Sequence, residues 1–303
     1  MILAFPKIFA IGTDYIRDIF LDVVEISEKI DGSQFSFGKV GGELFIRSKG
    51  AQLYVANPEK MFSEGISYVE SISHKLPEGV VFYGEYLKKP KHNTLAYSRV
   101  PKNHIILFGA CVVPSLTFDP RFHYWADLLE LEVVPTWTAT VTSPDGLRQE
   151  LERESVLGGC KIEGVVVKNY SRPFLLGGTP IPLMAGKLVS EAFKEVHRNR
   201  WGTEEKGSSK WATFCNSFNT EARWNKAIQH LSEAGTLTNT PKDIGSLIKE
   251  VSADVESEEK EAIKEFLWQE NKREILGAAV RGLPEWYKQQ LLERSFKIKA
   301  LDS

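Results

Sequence analysis

The alternation of apolar and polar residues changes character twice along the chain. Tyr15, Ile16, Ile19 and Phe20 fall on one short helical face. From Val24 the period shortens to two. Val24, Ile26, Phe35 and Phe37 alternate with polar residues and predict strands. Gly41-Gly42 predicts a hairpin turn, with residues 43–49 as the returning strand. Further strands are predicted over 80–87, 105–113, 162–168 and 183–189, with 105–113 apolar enough to be central. Helices are predicted over 121–131 and 147–157, and 173–182 reads as a Gly/Pro-rich loop.

After Ser190 the strand pattern ends. Residues 191–201 are helical in rhythm, and 202–209 are polar and glycine-containing, as in a linker. Beyond them only helical patterns remain. One covers 221–234 and stops at Gly235, a second covers 243–255, a third 258–280, and a fourth opens at Pro284 and runs to about Phe296. The predicted organisation is a strand-rich domain over 1–200, a linker over 201–210 and a small helical domain over 211–303.

Composition narrows the class. With 303 residues, 42% of them hydrophobic and 26% charged, the chain suits two globular domains and not a disordered polymer. The formal net charge of −2 means that any contact with nucleic acid must come from a local basic patch. Cys111, Cys160 and Cys215 lack the spacing of a zinc site and predict buried free thiols in a reducing compartment. The six histidines are scattered and predict structural or surface roles. No apolar run reaches the ~20 residues needed to span a bilayer. The start of the chain lacks the pattern of a secretion signal. A soluble, cytoplasmic protein is expected.

Chemistry concentrates at Glu28-Lys29-Ile30-Asp31-Gly32-Ser33, where a lysine closes a strand and an acid and a glycine follow. A lysine amine attacks phosphorus only after losing its proton, and burial or neighbouring cations promote that loss. Asp-Gly is equally a plain turn pair. Later strand ends repeat the pattern of acid and lysine. Glu85 lies within Phe82-Tyr83-Gly84-Glu85, Glu163 and Lys168 lie in Glu163-Gly164-Val165-Val166-Val167-Lys168, and Lys187 lies in Met184-Ala185-Gly186-Lys187. Each charge alone fits a solvated strand residue. Gathered at one sheet edge, they would form a pocket for a metal and phosphates.

In this order and type the stretches resemble the motifs of the covalent nucleotidyltransferases, which comprise ATP- and NAD-dependent polynucleotide ligases and mRNA capping enzymes. The resemblance covers residues 24–190. It implies an α+β fold: an ATP-grasp-like ligase domain of antiparallel sheets with flanking helices. The helical tail is similar to that of phage-type, nick-sealing RNA ligases of the RNA ligase 2 kind. The resemblance implies ATP and Mg²⁺ (or Mn²⁺) as cofactors and RNA or nicked duplex as partner; the sequence leaves the oligomeric state open, with a monomer expected.

It also implies roles. Lys29 would take AMP from ATP and release pyrophosphate. Glu28 would meet the adenine edge, Ile30 would line the nucleotide pocket, and Phe108 would stack on the base. Asp31 and Arg47 would act near the ribose, the lysine and the incoming 5′-phosphate. Glu85 would hold the ribose, and Glu163 would bind the metal. Lys168 and Lys187 would neutralise phosphates. Two positions depart from the pattern: Ala185 stands where the fifth motif has its first lysine, and Gly109 stands where relatives often carry an acid.

Lys88, Lys89, Lys91 and His92 form a basic stretch that fits either a strand-contacting loop or a solvated turn. Arg198, Arg200, Lys206 and Lys210 flank the linker and fit either a phosphate clamp or a helix end. Trp201 and Trp211 suggest interdomain packing. The leading expectation is an ATP-dependent RNA ligase that joins 3′-hydroxyl and 5′-phosphate ends. The alternatives are a DNA or dual-specificity ligase, a guanylyltransferase, and a non-catalytic nucleic-acid-binding protein of the same fold.

Overall fold

The computed structural model describes residues 2–139, 144–176, 178–190, 193–194 and 210–299. In chain order the strands and helices are β1 (Phe9–Ala10), β2 (Val24–Lys29), β3 (Ser33–Val40), β4 (Glu43–Ser48), β5 (Gln52–Leu53), α1 (Ser63–Ser71), β6 (Val80–Tyr86), β7 (Ile105–Val112), β8 (Thr117–Phe118), α2 (Phe122–Leu128), β9 (Glu132–Val133), β10 (Thr136–Ala139), α3 (Pro144–Arg148), β11 (Gly164–Asn169), β12 (Phe174–Leu176), β13 (Thr179–Ile181), β14 (Met184–Val189), α4 (Lys210–Asn216), α5 (Glu221–Glu233), α6 (Ile244–Ala279) and α7 (Leu283–Lys299).

Two sheets carry the fold. The first has the order β1-β14-β11-β2-β10, and the second β5-β4-β3-β6-β7-β8 with β9 added beside β7. Pairing is antiparallel except for β1 on β14 and β9 on β7. This is the α+β arrangement expected.

Alternation along the first sheet decides what faces what. Val24, Ile26, Val165, Val167 and Met184 point to one side and form a core with Phe9, Ile16 and Ile19. The other side carries Glu25, Ser27 and Lys29 of β2, then Val166 and Lys168 of β11, then Ala185 and Lys187 of β14, placed abreast by the register. In the second sheet, Phe35, Phe37, Phe82, Tyr86 and Leu107 build a core with α1 and α2. Its opposite side packs Val81, Tyr83 and Cys111 against Leu183 and Ala185 of the first sheet region, with Ile2 and Phe5 between. The polar edge of this inter-sheet layer is where the chemistry gathers.

The hairpin at Gly41-Gly42 forms as predicted, with φ of +64° and +81°, values that suit glycine. Other expectations are corrected. The helix predicted over 147–157 stops early, because Arg153 is extended and residues 155–156 turn inward to bond Glu28. The predicted loop at 173–182 holds the hairpin β12–β13, turned at Gly178 with φ +85°. The two helices predicted over 243–255 and 258–280 are the single helix α6, since no glycine or proline interrupts residues 256–257. Helix α5 is capped by the Thr220 hydroxyl, which accepts from the Arg223 N–H, and ends before Gly235 at φ +65°.

The chain forms two compact units, Met1–Leu247 and Ile248–Ser303. The first holds both sheets together with α4 and α5. The second is helical and carries exposed apolar side chains, including Trp268, Ile275, Trp286 and Leu292. Among the described residues no helix is long and apolar enough to cross a membrane. Cys111 is buried as expected, but Cys160 is half-buried and Cys215 exposed. The helix predicted over 191–201, the linker residues 202–209 and the side chains of Arg198, Arg200, Trp201 and Lys206 lie outside the described residues.

Candidate active site

Lys29 closes β2 directly opposite Gly164 of β11, one residue after Glu163. That register sets its ammonium 2.8 Å from the Glu163 carboxylate. The Glu163 side chain is only 8% exposed and that of Lys29 25%, so the pair is largely shielded from water. Burial alone would depress the Lys29 amine. Glu163, Glu85 and Asp31 outweigh it, and the amine is held above the ordinary lysine value. The expectation of a depressed amine is therefore corrected: in this state Lys29 is a protonated partner of Glu163.

Glu85 lies on β6 within the field of Lys29. Burial, and then the charges of Glu163, Glu233 and Asp31, push its carboxyl up to about 8 despite Lys29. Its Oε2 is shielded and has no hydrogen-bond partner among the described residues. Burial likewise raises Glu163 against the opposing effect of Lys29. Lys187 sits on the same sheet side, and its charge reaches Glu163. Lys29, Asp31, Glu85, Glu163 and Lys187 thus share one electrostatic site.

Asp31 is held by the loop after β6. Its Oδ2 accepts from the N–H groups of Thr94 (2.8 Å) and Leu95 (2.7 Å), and its own N–H donates to the Tyr97 hydroxyl at 2.8 Å. Gly32 has no left-handed φ. It is required because an added Cβ would lie 2.9 Å from the Tyr86 carbonyl oxygen of β6. Ile30 is buried with Leu87, Tyr97 and Ile106, and Phe108 packs against the same cluster.

Phe108 owes its aim to a bulge. Tyr83 pairs with Gly109 and Gly84 with Leu107, which leaves Phe108 as the extra residue of β7. Phe5 meets its ring edge-on at 5.1 Å.

Three other candidates are engaged elsewhere. Glu28 turns from Lys29, as strand alternation requires. Its carboxylate accepts from the Ser155 hydroxyl (2.5 Å) and the Val156 N–H (3.0 Å), and burial raises its affinity for protons. Arg47 donates to the carbonyls of Ile2, Ser48 and Lys49. Lys168 is not brought to Lys29. It pairs with Glu25, four residues back along β2 and so about 13 Å away at ~3.3 Å per residue. Its fully buried ammonium bonds Glu25 at 2.8 Å and the Phe108 carbonyl at 2.5 Å, and burial lowers its affinity for protons. Ala185 is abreast of it and fully buried.

Of the basic stretch, Lys88, Lys89 and Lys91 are exposed, while His92 turns inward to Ser33. Lys210 is exposed, and Trp211 stacks on Phe214 within α4. Asn93, Tyr97, Ser155, Gln229 and Glu233 carried no motif signal, because each acts through a contact distant in sequence, and His92 stood only in a basic stretch that did not point to Ser33.

Among the described residues no three acidic, histidine or cysteine side chains converge to hold a metal by themselves. A hard cation such as Mg²⁺ commonly takes one or two carboxylates and completes its shell with phosphate oxygens and water. Glu163, with the unpartnered oxygen of Glu85 nearby, fits that donor set.

No curated protein matches the sequence. Among solved structures, the chain is similar to the Naegleria gruberi RNA ligase with PPi, at 15% identity and a TM-score of 0.50 over 66% of this chain and 59% of that one. It is also similar to a glutamate-to-alanine mutant of that ligase with ATP and Mn, at 14% identity and a TM-score of 0.49 over 63% and 57%. The chain thus spans less than two thirds of the length of these structures, and at 15% identity the likeness to the first is one of fold. The profile of the RNA ligase family matches residues 22–177, which include Lys29, Asp31, Glu85, Phe108, Glu163 and Lys168. With half of its length matched in this way, the chain belongs to the RNA ligase family.

Proposed function

We propose that this protein is an ATP-dependent RNA ligase that joins a 3′-hydroxyl to a 5′-phosphate through a lysyl-AMP intermediate. The observation that carries the reading is the Lys29 ammonium, which ends a strand at the inter-sheet site and touches Glu163 within the field of Glu85. Lys29 Nζ, once deprotonated, forms a bond to the α-phosphorus of ATP, and the bond to pyrophosphate breaks. A 5′-phosphate oxygen then takes the AMP from Lys29. The 3′-hydroxyl attacks that phosphate, loses its proton and expels AMP.

Phosphoryl transfer of this kind depends on positioning and on neutralising charge. Glu163 would hold a divalent cation, which supplies positive charge to the phosphates. Lys187 adds a fixed cation on the same side. Phe108 offers an apolar face for the base, with the buried Ile30 in the cluster it packs against, and Glu85 a group for the ribose. Asp31 holds the turn. Lys168 fixes the Phe108 backbone, and Arg47 stands beside Tyr83 on the facing sheet. Residues 1–200 carry the groups that meet the nucleotide, and residues 211–303, joined through 201–210, shape the nucleic-acid footprint.

The test is to incubate the protein with ATP and Mg²⁺ and to weigh it. The wild type gains one AMP on Lys29, and Lys29→Ala gains none. An adduct that persists in Lys29→Ala, or none in the wild type, would sink the reading. Nicks that differ only in the sugar at the 3′-hydroxyl separate RNA from DNA sealing, and GTP in place of ATP tests guanylyl transfer. One feature favours a non-catalytic nucleic-acid-binding protein: the buried Ala185 in place of a lysine. That reading predicts duplex binding without an adduct.

A further inference from the structure

The turn that follows Lys29 is gripped from two sides. On the first, Asn93 Nδ2 donates to the Gly32 carbonyl at 2.9 Å. His92 Nδ1 accepts from the Lys88 N–H at 3.0 Å, so the ring proton resides on Nε2 and is donated to Ser33 Oγ at 2.9 Å.

The second side is α5, some two hundred residues later. Gln229 Nε2 donates to the same Gly32 carbonyl at 3.0 Å and to Glu233 at 2.7 Å. The Ser33 hydroxyl, having accepted from His92, donates its own proton to Glu233 at 2.5 Å. Helix α5 is itself anchored by the buried side chains of Arg223 and Ala227. Gln229 and Glu233 are half-buried.

We propose that Gln229 and Glu233 are positioning residues, which hold the Gly32–Ser33 turn and thereby set where Lys29 presents its amine to a nucleotide. The proposal rests on Lys29 being the nucleotide acceptor. Only Ile30 and Asp31 lie between Gly32 and Lys29, the last residue of its strand. Gly32 cannot retreat toward β6, whose Tyr86 carbonyl already lies against it. The grip of α5 therefore removes the remaining freedom of the turn. A displacement of about 1 Å at a reacting group costs up to ~100-fold in rate. The charge of Glu233 also reaches Glu85, so α5 borders the site and is not a remote support.

The test compares wild type, Gln229→Ala, Glu233→Ala and Glu233→Gln in a single round of AMP transfer to Lys29 over a range of ATP concentrations. Backbone hydrogen exchange over residues 30–34 is measured on the same proteins. Positioning predicts that both alanine variants lose about tenfold in maximal rate while half-saturation by ATP stays within about twofold. Exchange at 30–34 quickens. Glu233→Gln, whose amide oxygen still accepts from Ser33, recovers most of the rate. Alanine variants that transfer AMP at the wild-type rate, or that lose rate only in proportion to folded protein, overturn the proposal. If the wild type forms no adduct, the acceptor role of Lys29 fails, and exchange alone decides the grip: unchanged exchange at 30–34 in the alanine variants refutes it, and faster exchange upholds it.

Discussion

The Lys29 ammonium and the Glu163 carboxylate meet at 2.8 Å although 134 positions separate them in sequence. The contact follows from register, since Gly164 is the partner of Lys29 across β2 and β11. It also explains a resting state in which the amine keeps its proton. A ligand that engages Glu163 would release the lysine.

Removal of the carboxylate should therefore unmask the amine. In Glu163→Gln the largest charge opposing burial is gone while Glu85 and Asp31 remain, and the Lys29 amine titrates lower. Each unit of downward shift gives about tenfold more free amine at a fixed pH below its pKa. Mild acylation at neutral pH, followed by mass spectrometry, should label Lys29 faster in Glu163→Gln than in the wild type. Equal labelling would show that Glu163 does not control the amine.

His92 should make stability depend on acid. Burial, opposed in part by Asp31, depresses its imidazole to about 4 in the fold, against ~6.5 when unfolded. A depressed group contributes stability in full above its unfolded pKa and loses it as pH falls toward the folded one. The denaturant midpoint should drop from pH 7 to pH 5 in the wild type, and less in His92→Gln. Parallel drops in both proteins would exclude His92 as the source.

Glu28→Ala should be costly to stability. The Ser155 hydroxyl and the Val156 N–H would lose their buried acceptor, a penalty of about 1–3 kcal/mol. Urea unfolding measures it. A change below about 0.5 kcal/mol would mean that water replaces the carboxylate.

Ala185→Lys, which restores the fifth-motif pattern, should destabilise the protein. Ala185 is fully buried and abreast of Lys168, itself buried. A second ammonium there would be desolvated beside a like charge, at a cost of several kcal/mol. The melting temperature should fall with no gain in AMP transfer. An unchanged melting temperature would show that the lysine escapes to water.

The sheets were legible because strands β2, β3, β6, β7, β11 and β14 alternate or run apolar. Motif order placed Lys29, Glu85, Glu163 and Lys187 at a common site. What stayed hidden was long-range. The bulge that aims Phe108 depends on how β6 pairs with β7, and the helix expected at 147–157 yields to the need of Glu28 for two donors. Residues 256–257 show the converse: the helical patterns over 243–255 and 258–280 leave a gap there, yet both residues tolerate helix. Lys168 carried the right charge in the right motif, yet five strand positions take it from Glu163 to Glu25 and Phe108.

The abreast placement of Glu25, Lys29, Lys168 and Lys187 on one side of the first sheet makes the site unequally sensitive to two kinds of genetic change. A point substitution alters one group and leaves the rest in place. Deletion of a single codon between Glu163 and Lys168 would invert the side of every residue beyond it, delivering a lysine into the apolar layer of Ile26 and Met184 and a valine into the cleft. Variation in this strand should accordingly proceed by replacement at fixed length, and the loops on either side should absorb any change in residue number.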